Sequence, residues 1–236
     1  MEVERLGPRW MEIDLGRLRG NLATLRRKSG PVEMIPVVKA DAYGHGAVEI
    51  VRAMEKDGVG MVAVATLGEA LRLREAFVRC RILVLAAVPR AQIPEILVHQ
   101  ITPTVCDAEF AAALSGRSAA EGRTTAVHFY VDTGMGRMGY APGEAREHLE
   151  KTLKMPALLV EYLYSHFSAA DQCDADSDAY SLGQWRQMEN FCAGLSRKLP
   201  VHMSNSAASW RFPEYVADAV RPGLLCYGVP PNPELK

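Results

Sequence analysis

A lone lysine, Lys39, closes the apolar run Met34-Ile35-Pro36-Val37-Val38 and is followed at once by Ala40-Asp41-Ala42-Tyr43-Gly44-His45-Gly46. A strand that ends in a glycine-rich turn presents its last side chain at a sheet edge, where a partly apolar setting lowers the proton affinity of an ammonium group. A lysine held in that way can act as a nucleophile or a base. Most lysines at strand ends only extend into water, so position alone does not decide. Four later segments repeat the pattern of polar residues behind an apolar run: Asp132-Thr133-Gly134-Met135-Gly136-Arg137, Ser165-His166, Ser204-Asn205-Ser206 and Arg221-Pro222-Gly223.

The elements that must position these residues alternate. Strand-like runs span 34–38, 61–65, 81–85, 101–105, 126–131, 157–164, 201–203 and 217–221, and amphipathic patterns span 46–56, 67–77, 91–99, 108–114, 142–154 and 182–198. The runs are apolar throughout, as strands covered on both faces require. About eight β/α units in one chain of this length fit an α/β fold of the (β/α)8 TIM-type barrel, with a doubly wound open sheet as the alternative. In a barrel the polar segments share the carboxyl-terminal rim, and the last two loops, with small residues and backbone donors, suit a phosphate. A phosphate-bearing ligand beside a lysine suggests pyridoxal 5'-phosphate. Residues 9–15 read as a short strand and 16–28 as a helix ahead of the repeat, while 171–178 read as a polar loop.

Composition narrows the function classes. The 236 residues carry a net charge of -1, with no basic run to draw in nucleic acid or an anionic membrane. The five cysteines are odd in number, scattered and free of Cys-x-x-Cys spacing, as in a reduced, cytoplasmic protein. The histidines lack metal-ligand spacing, so no metal is expected. No apolar stretch reaches the length of a membrane span, and residues 1–9 lack the apolar core of a signal peptide. Gly134, Gly136 and Gly139 satisfy G-x-G-x-x-G, with Glu161 about twenty residues on. The helix pattern begins only at Pro142 and Glu161 falls inside a strand, which argues against a dinucleotide fold.

The run from Val38 to Gly46, taken with Asp132-Thr133-Gly134-Met135-Gly136-Arg137-Met138-Gly139, closely resembles the alanine racemase family. Glu12-Ile13-Asp14-Leu15, Ala65-Thr66-Leu67-Gly68-Glu69-Ala70, His166-Phe167-Ser168, Asn205-Ser206-Ala207 and Arg221-Pro222-Gly223 agree in order. The resemblance covers the family's amino-terminal barrel only. It implies an isomerase that interconverts L- and D-alanine with pyridoxal phosphate, supplying D-alanine for peptidoglycan. Lys39 would carry the cofactor as a Schiff base and serve as base on one face of the amino acid. Tyr43, Asn205, Ser206, Gly223 and Leu224 would surround the phosphate, and Leu85 would line the ring. His166 would lie against the ring, Arg221 would face its nitrogen, and Arg137 would neutralise the phenolic oxygen and the substrate carboxylate.

The resemblance also defines what this chain lacks. It implies a homodimer at full length, in which a carboxyl-terminal β-domain of the partner supplies a tyrosine as second base and a methionine at the substrate. Residues 1–29 then lead into a barrel over 30–229, and the proline-rich 230–236 reads as the start of a linker to a missing domain. Such a truncated barrel is expected to bind cofactor and racemise poorly. A single-barrel protein of cofactor homeostasis is the alternative of similar length. Tyr130 stands where many family members have a lysine that becomes carbamylated and orients the arginine; its hydroxyl is expected to reach toward Arg137.

Overall fold

Asp14 starts the first helix. In the computed structural model, which describes residues 11–234, its carboxylate accepts from the amides of Gly16 and Arg17 at 2.8 and 3.1 Å and caps helix α1 (Leu15–Ser29). The strand expected at 9–15 does not form within the described residues. Arg9 and Trp10 lie outside them, residues 11–14 are irregular, and Leu15 is already helical. Asp14 satisfies first-turn amides, which favours a helix start over extended pairing. Leu18, Leu22 and Leu25 form one helical face and are buried in the same core as the strands that follow.

From there strand and helix alternate: β1 (Glu33–Met34), α2 (Ala47–Lys56), β2 (Met61–Val64), α3 (Leu67–Glu75), β3 (Arg81–Val84), α4 (Ile93–Val98) and β4 (Thr102–Val105). The second half continues with α5 (Ala108–Ala120), β5 (Thr125–Tyr130), α6 (Pro142–Leu153), β6 (Leu158–Tyr164), α7 (Ala175–Ala193), β7 (Val201–His202), α8 (Ser206–Arg211) and β8 (Ala219–Val220). All pairings are parallel, in the order β1-β8-β7-β6-β5-β4-β3-β2.

Pro36 has no amide hydrogen, so the ladder of β1 stops short of the expected 34–38. The backbone stays extended all the same. Ile35 and Val37 donate to Val220 and Pro222 at 2.9 and 2.8 Å, while Val38 donates to Ala63 and Ala63 to Pro36, both at 2.8 Å. These bonds tie the first strand to β8 on one side and β2 on the other, and the sheet closes as a (β/α)8 barrel. The glycines of 132–139 form a loop before α6 and do not open a helix, and Glu161 lies within β6. The loop expected over 171–178 is shorter than its polarity suggests, because the Asp174 carboxylate accepts from Ser177 N at 2.9 Å and starts α7 at Ala175.

The barrel interior is divided. Ile35, Val37, Met61, Ala63, Leu83 and Ala219 form an apolar cluster on the side of the early strands. Across from it His128, Tyr130, Tyr164, His202 and Arg221 are buried on β5 to β8. Leu22→Ala should cost about 2–5 kcal/mol in urea unfolding, the range for a buried leucine left as a cavity. A cost under about 1 kcal/mol would instead mark α1 as an arm outside the core.

Candidate active site

Arg221, at the end of β8, is the most constrained residue of the carboxyl-terminal rim. Only 2% of it is exposed. Its Nη1 donates to the His202 carbonyl at 2.9 Å and to His202 Nδ1, and its Nη2 donates to Ser165 O at 2.7 Å, His166 Nδ1 at 3.1 Å and Met203 O at 3.3 Å. Its Cζ lies 5.1 Å from the centre of the Tyr164 ring. Every one of these partners is neutral, so Arg221 is not half of an ion pair and its charge is unbalanced. Burial lowers its pKa to about 10, which leaves it cationic at neutral pH. Among the described residues no acceptor is bonded to its Nε–H, and the residue lines a cavity.

The guanidinium dictates the tautomers below it. Having no acceptor, it forces Nδ1 of His166 and of His202 to accept, so each neutral ring carries its hydrogen on Nε2. His202 Nε2–H then donates to His128 Nδ1 at 2.8 Å. His128 in turn holds its hydrogen on Nε2, 3.8 Å from a Glu161 carboxylate that pairs with Arg81. Burial first, then Arg221, Arg137 and Lys39, lower the pKa of His166 to about 3. Burial first, then Arg81 and Arg221, do the same to His128, and burial, Arg221 and His128 push His202 down as well.

The cavity beside Arg221 measures about 280 Å³. All ten residues singled out in the sequence line it: Lys39, Tyr43, Leu85, Arg137, His166, Asn205, Ser206, Arg221, Gly223 and Leu224. A larger cleft of about 420 Å³ between residues 11–21 and Tyr227 contains neither Lys39 nor Arg221. Lys39 is exposed rather than set in an apolar edge as the sequence suggested, with Nζ 5.8 Å from the Tyr43 ring centre. The chain turns away directly after it. Ala40, Asp41, Ala42 and Tyr43 all have positive φ, 51 to 54°, a left-handed turn that costs roughly 1–2 kcal/mol per residue for L side chains.

The opposite walls are held from behind. The Asp132 carboxylate accepts from the amides of Gly134, Met135 and Gly136 at 2.8–3.1 Å, folding the loop that carries Arg137. Tyr180 Oη donates to Gly134 O at 2.7 Å, and one helical turn on, Gln184 donates to His166 O and accepts from Ser168 N, both at 3.1 Å. Asn205 Oδ1 accepts from Ala208 N at 3.0 Å and caps α8, and Ser206 Oγ accepts from Gly223 N at 2.8 Å. A Cβ on Gly223 would stand 2.4 Å from Tyr43 Oη, so only glycine admits the phenol there. Burial, with a lesser push from Cys226, raises Tyr43 to about 12, which keeps it a donor.

Tyr130 does not reach Arg137. Its ring packs with Cys106, Leu85, Met138 and Tyr164, its hydroxyl is buried with no hydrogen-bond partner among the described residues, and Arg137 is exposed. Sequence reasoning also missed Tyr164, Ser168 and Asp171 in the lining, and Tyr180 and Gln184 behind it. Only their strand-end or same-face spacing could have signalled them. Within the described residues no group of side chains has a metal site's arrangement, and no helix is long and apolar enough to cross a membrane.

Residues 13–231 match the family model described as alanine racemase, N-terminal domain. The chain belongs to this family. It is 38% identical over 237 residues to the alanine racemase of Clostridium kluyveri, covering 98% of this chain and 60% of that protein. The chain thus spans about 60% of the length of the curated relatives it matches. Among solved structures, alanine racemase from E. faecalis is similar with a TM-score of 0.89 at 33% identity, over 97% of this chain and 62% of that one. The alanine racemase of Bartonella henselae, described with covalently bound pyridoxal phosphate, has a TM-score of 0.81 at 25% identity, over 93% and 63%. The barrel is therefore that of the family's amino-terminal domain.

The buried histidines of this domain generate a pH prediction. A histidine whose folded pKa lies below its unfolded value of about 6.5 takes up a proton only on unfolding, so stability is full above that pH and falls as pH drops toward the folded pKa. His128 and His166 together should remove about 3 kcal/mol between pH 7.5 and 5.5, with His202 acting in the same direction, read as a lowered urea midpoint. An unchanged midpoint would show that the three rings are not held neutral.

Proposed function

We propose that this chain is the cofactor-binding barrel of an alanine racemase and that it binds pyridoxal phosphate at the Lys39–Arg221 cavity. The observation that carries the reading is the unmatched donor set. The Lys39 ammonium, the Arg137 guanidinium, the Tyr43 hydroxyl and the Arg221 Nε–H have no hydrogen-bond acceptor among the described residues, and Asp171 is the one carboxylate in that lining. A ligand that is anionic, rich in acceptors and furnished with a ring nitrogen satisfies all four. Tyr43, Ser206 and the backbone at Gly223 and Leu224 would take the phosphate, and Leu85 and His166 would flank the ring. Arg221 would donate to the ring nitrogen, and Lys39 would make the covalent link.

When bound, the cofactor would draw electron density from the substrate's Cα–H bond. The protein's share is then distinct. Lys39, in its neutral form, removes and returns the Cα proton on its own face. Arg137 pairs with the substrate carboxylate. Arg221 cannot surrender its proton, and its charge disfavours a second proton on the nitrogen it faces. The electron sink is thereby kept weak, and proton exchange is favoured over transamination. His166 stays neutral and adds no further charge.

One base exchanges a proton on one face only. We therefore assign this chain cofactor binding and one-sided exchange, and assign the full interconversion of L- and D-alanine to the longer, dimeric enzyme. Curated relatives named alanine racemase, each longer than this chain, favour this reading over a cofactor-homeostasis protein.

Pyridoxal phosphate added to the purified chain should give an absorbance band near ~420 nm that borohydride abolishes and Lys39→Ala lacks, as expected for a lysine-linked cofactor. In deuterated water one enantiomer of alanine should gain deuterium at Cα faster than optical activity is lost. No band would remove the cofactor assignment. Equal rates of exchange and loss of optical activity would mean that the chain already holds both bases.

A further inference from the structure

The turn after Lys39 poses a mechanical problem. Four consecutive residues, Ala40 to Tyr43, hold left-handed backbone angles with ψ between 37 and 50°, and none is glycine. Such a segment persists only where its surroundings over-determine it. Two carboxylates do so. Asp41 Oδ1 accepts from Ala47 N at 2.7 Å and holds the far end of the turn at the start of α2. At the near end, directly after the lysine, Ala40 N donates to Glu69 Oε1 at 2.7 Å.

Glu69 comes from another β/α unit. It is the fourth residue of the box Thr66-Leu67-Gly68-Glu69 at the start of α3, where Thr66 Oγ1 accepts from Glu69 N at 3.3 Å. Its second oxygen, Oε2, accepts from Ala65 N at 2.8 Å and Thr66 N at 3.0 Å. A capping box needs only that second oxygen. The first is spent on the turn that begins at the lysine. One carboxylate thus joins the end of β2 to the residue after Lys39, at the point where Val38 N already bonds Ala63 O at 2.8 Å.

We propose that Glu69 is a positioning residue for Lys39, holding the left-handed turn that aims the lysine over the cavity. The inference rests on the cofactor reading above and deepens it. Two readouts test it on the full chain. Amide hydrogen exchange of residues 39–44, measured without cofactor, reports the Ala40 bond. The rate of borohydride-trapped attachment of pyridoxal phosphate at Lys39 reports its consequence.

Glu69→Ala should speed exchange at Ala40 and slow attachment by about tenfold each, the loss of one charge-assisted hydrogen bond. Thr66→Ala weakens the same helix cap and leaves the Ala40 bond intact; it should change both readouts by less than about twofold. Should Glu69→Ala fail to fold, Glu69→Gln, with one acceptor oxygen for three amides, takes its place with the same expectations. Equal effects of the Glu69 and Thr66 substitutions, or unchanged exchange at Ala40, would reduce Glu69 to a helix cap and overturn the proposal. If the unaltered chain shows no trapped cofactor, the proposed function fails and this inference with it. Trapping in the unaltered chain with no loss in the Glu69 variant defeats the inference alone.

Discussion

A positive charge buried at the end of β8 without a counter-ion is the constraint on which this site depends. Taking a guanidinium out of water costs several kcal/mol even after relaxation. Here the compensation comes from neutral acceptors contributed at the ends of β6 and β7, namely the carbonyls of Ser165, His202 and Met203 and the Nδ1 atoms of His166 and His202. Those bonds engage the two Nη groups, leave the Nε–H toward the cavity, and do not neutralise the charge. The field that remains points into the cavity, so an anionic ligand suits it, and it adds to burial, the larger cause, in keeping the surrounding imidazoles uncharged. Parallel strands of a closed barrel make this possible, because their carbonyl ends converge on one rim.

The rest of the rim is arranged to approach that charge from fixed directions. A left-handed turn sets Lys39 and Tyr43 on one wall, and Asp132 curls the Arg137 loop on another. Tyr180 and Gln184, one helical turn apart on α7, brace two loops at once. Each device spends local conformational freedom to hold a donor toward the same space. Preorganised donors of this kind need no rearrangement when a ligand's charge arrives.

Much of this was legible in the sequence, for identifiable reasons. Strands covered on both faces read as unbroken apolar runs, so the β/α alternation stood out, and a charged residue ending such a run, as Lys39 and Arg221 do, marks a strand end. What escaped had no local signature. Ala40, Asp41 and Ala42 do not announce positive φ as glycine would. The box from Thr66 to Glu69 is readable as a helix cap, but the bond from its spare oxygen to Ala40 crosses to another β/α unit. His128 and His202 sit in apolar strands at no motif spacing. The sequence leaves open a reach of the Tyr130 hydroxyl to Arg137, and the enclosing contacts of Tyr164 and Met138 hold the ring elsewhere. Within the described part of 9–15, the capping by Asp14 favours a helix start over the expected strand.

The central claim is that Arg221, cationic and unpaired, governs whatever ring nitrogen enters the cavity. Its most direct test is the ¹⁵N NMR shift of the pyridine nitrogen of labelled pyridoxal phosphate bound to the chain, followed from neutral to mildly acid pH. The account predicts the shift of an unprotonated, hydrogen-bonded pyridine throughout that range. A pyridinium shift at neutral pH would contradict it, since a proton there cannot face a guanidinium that keeps its own.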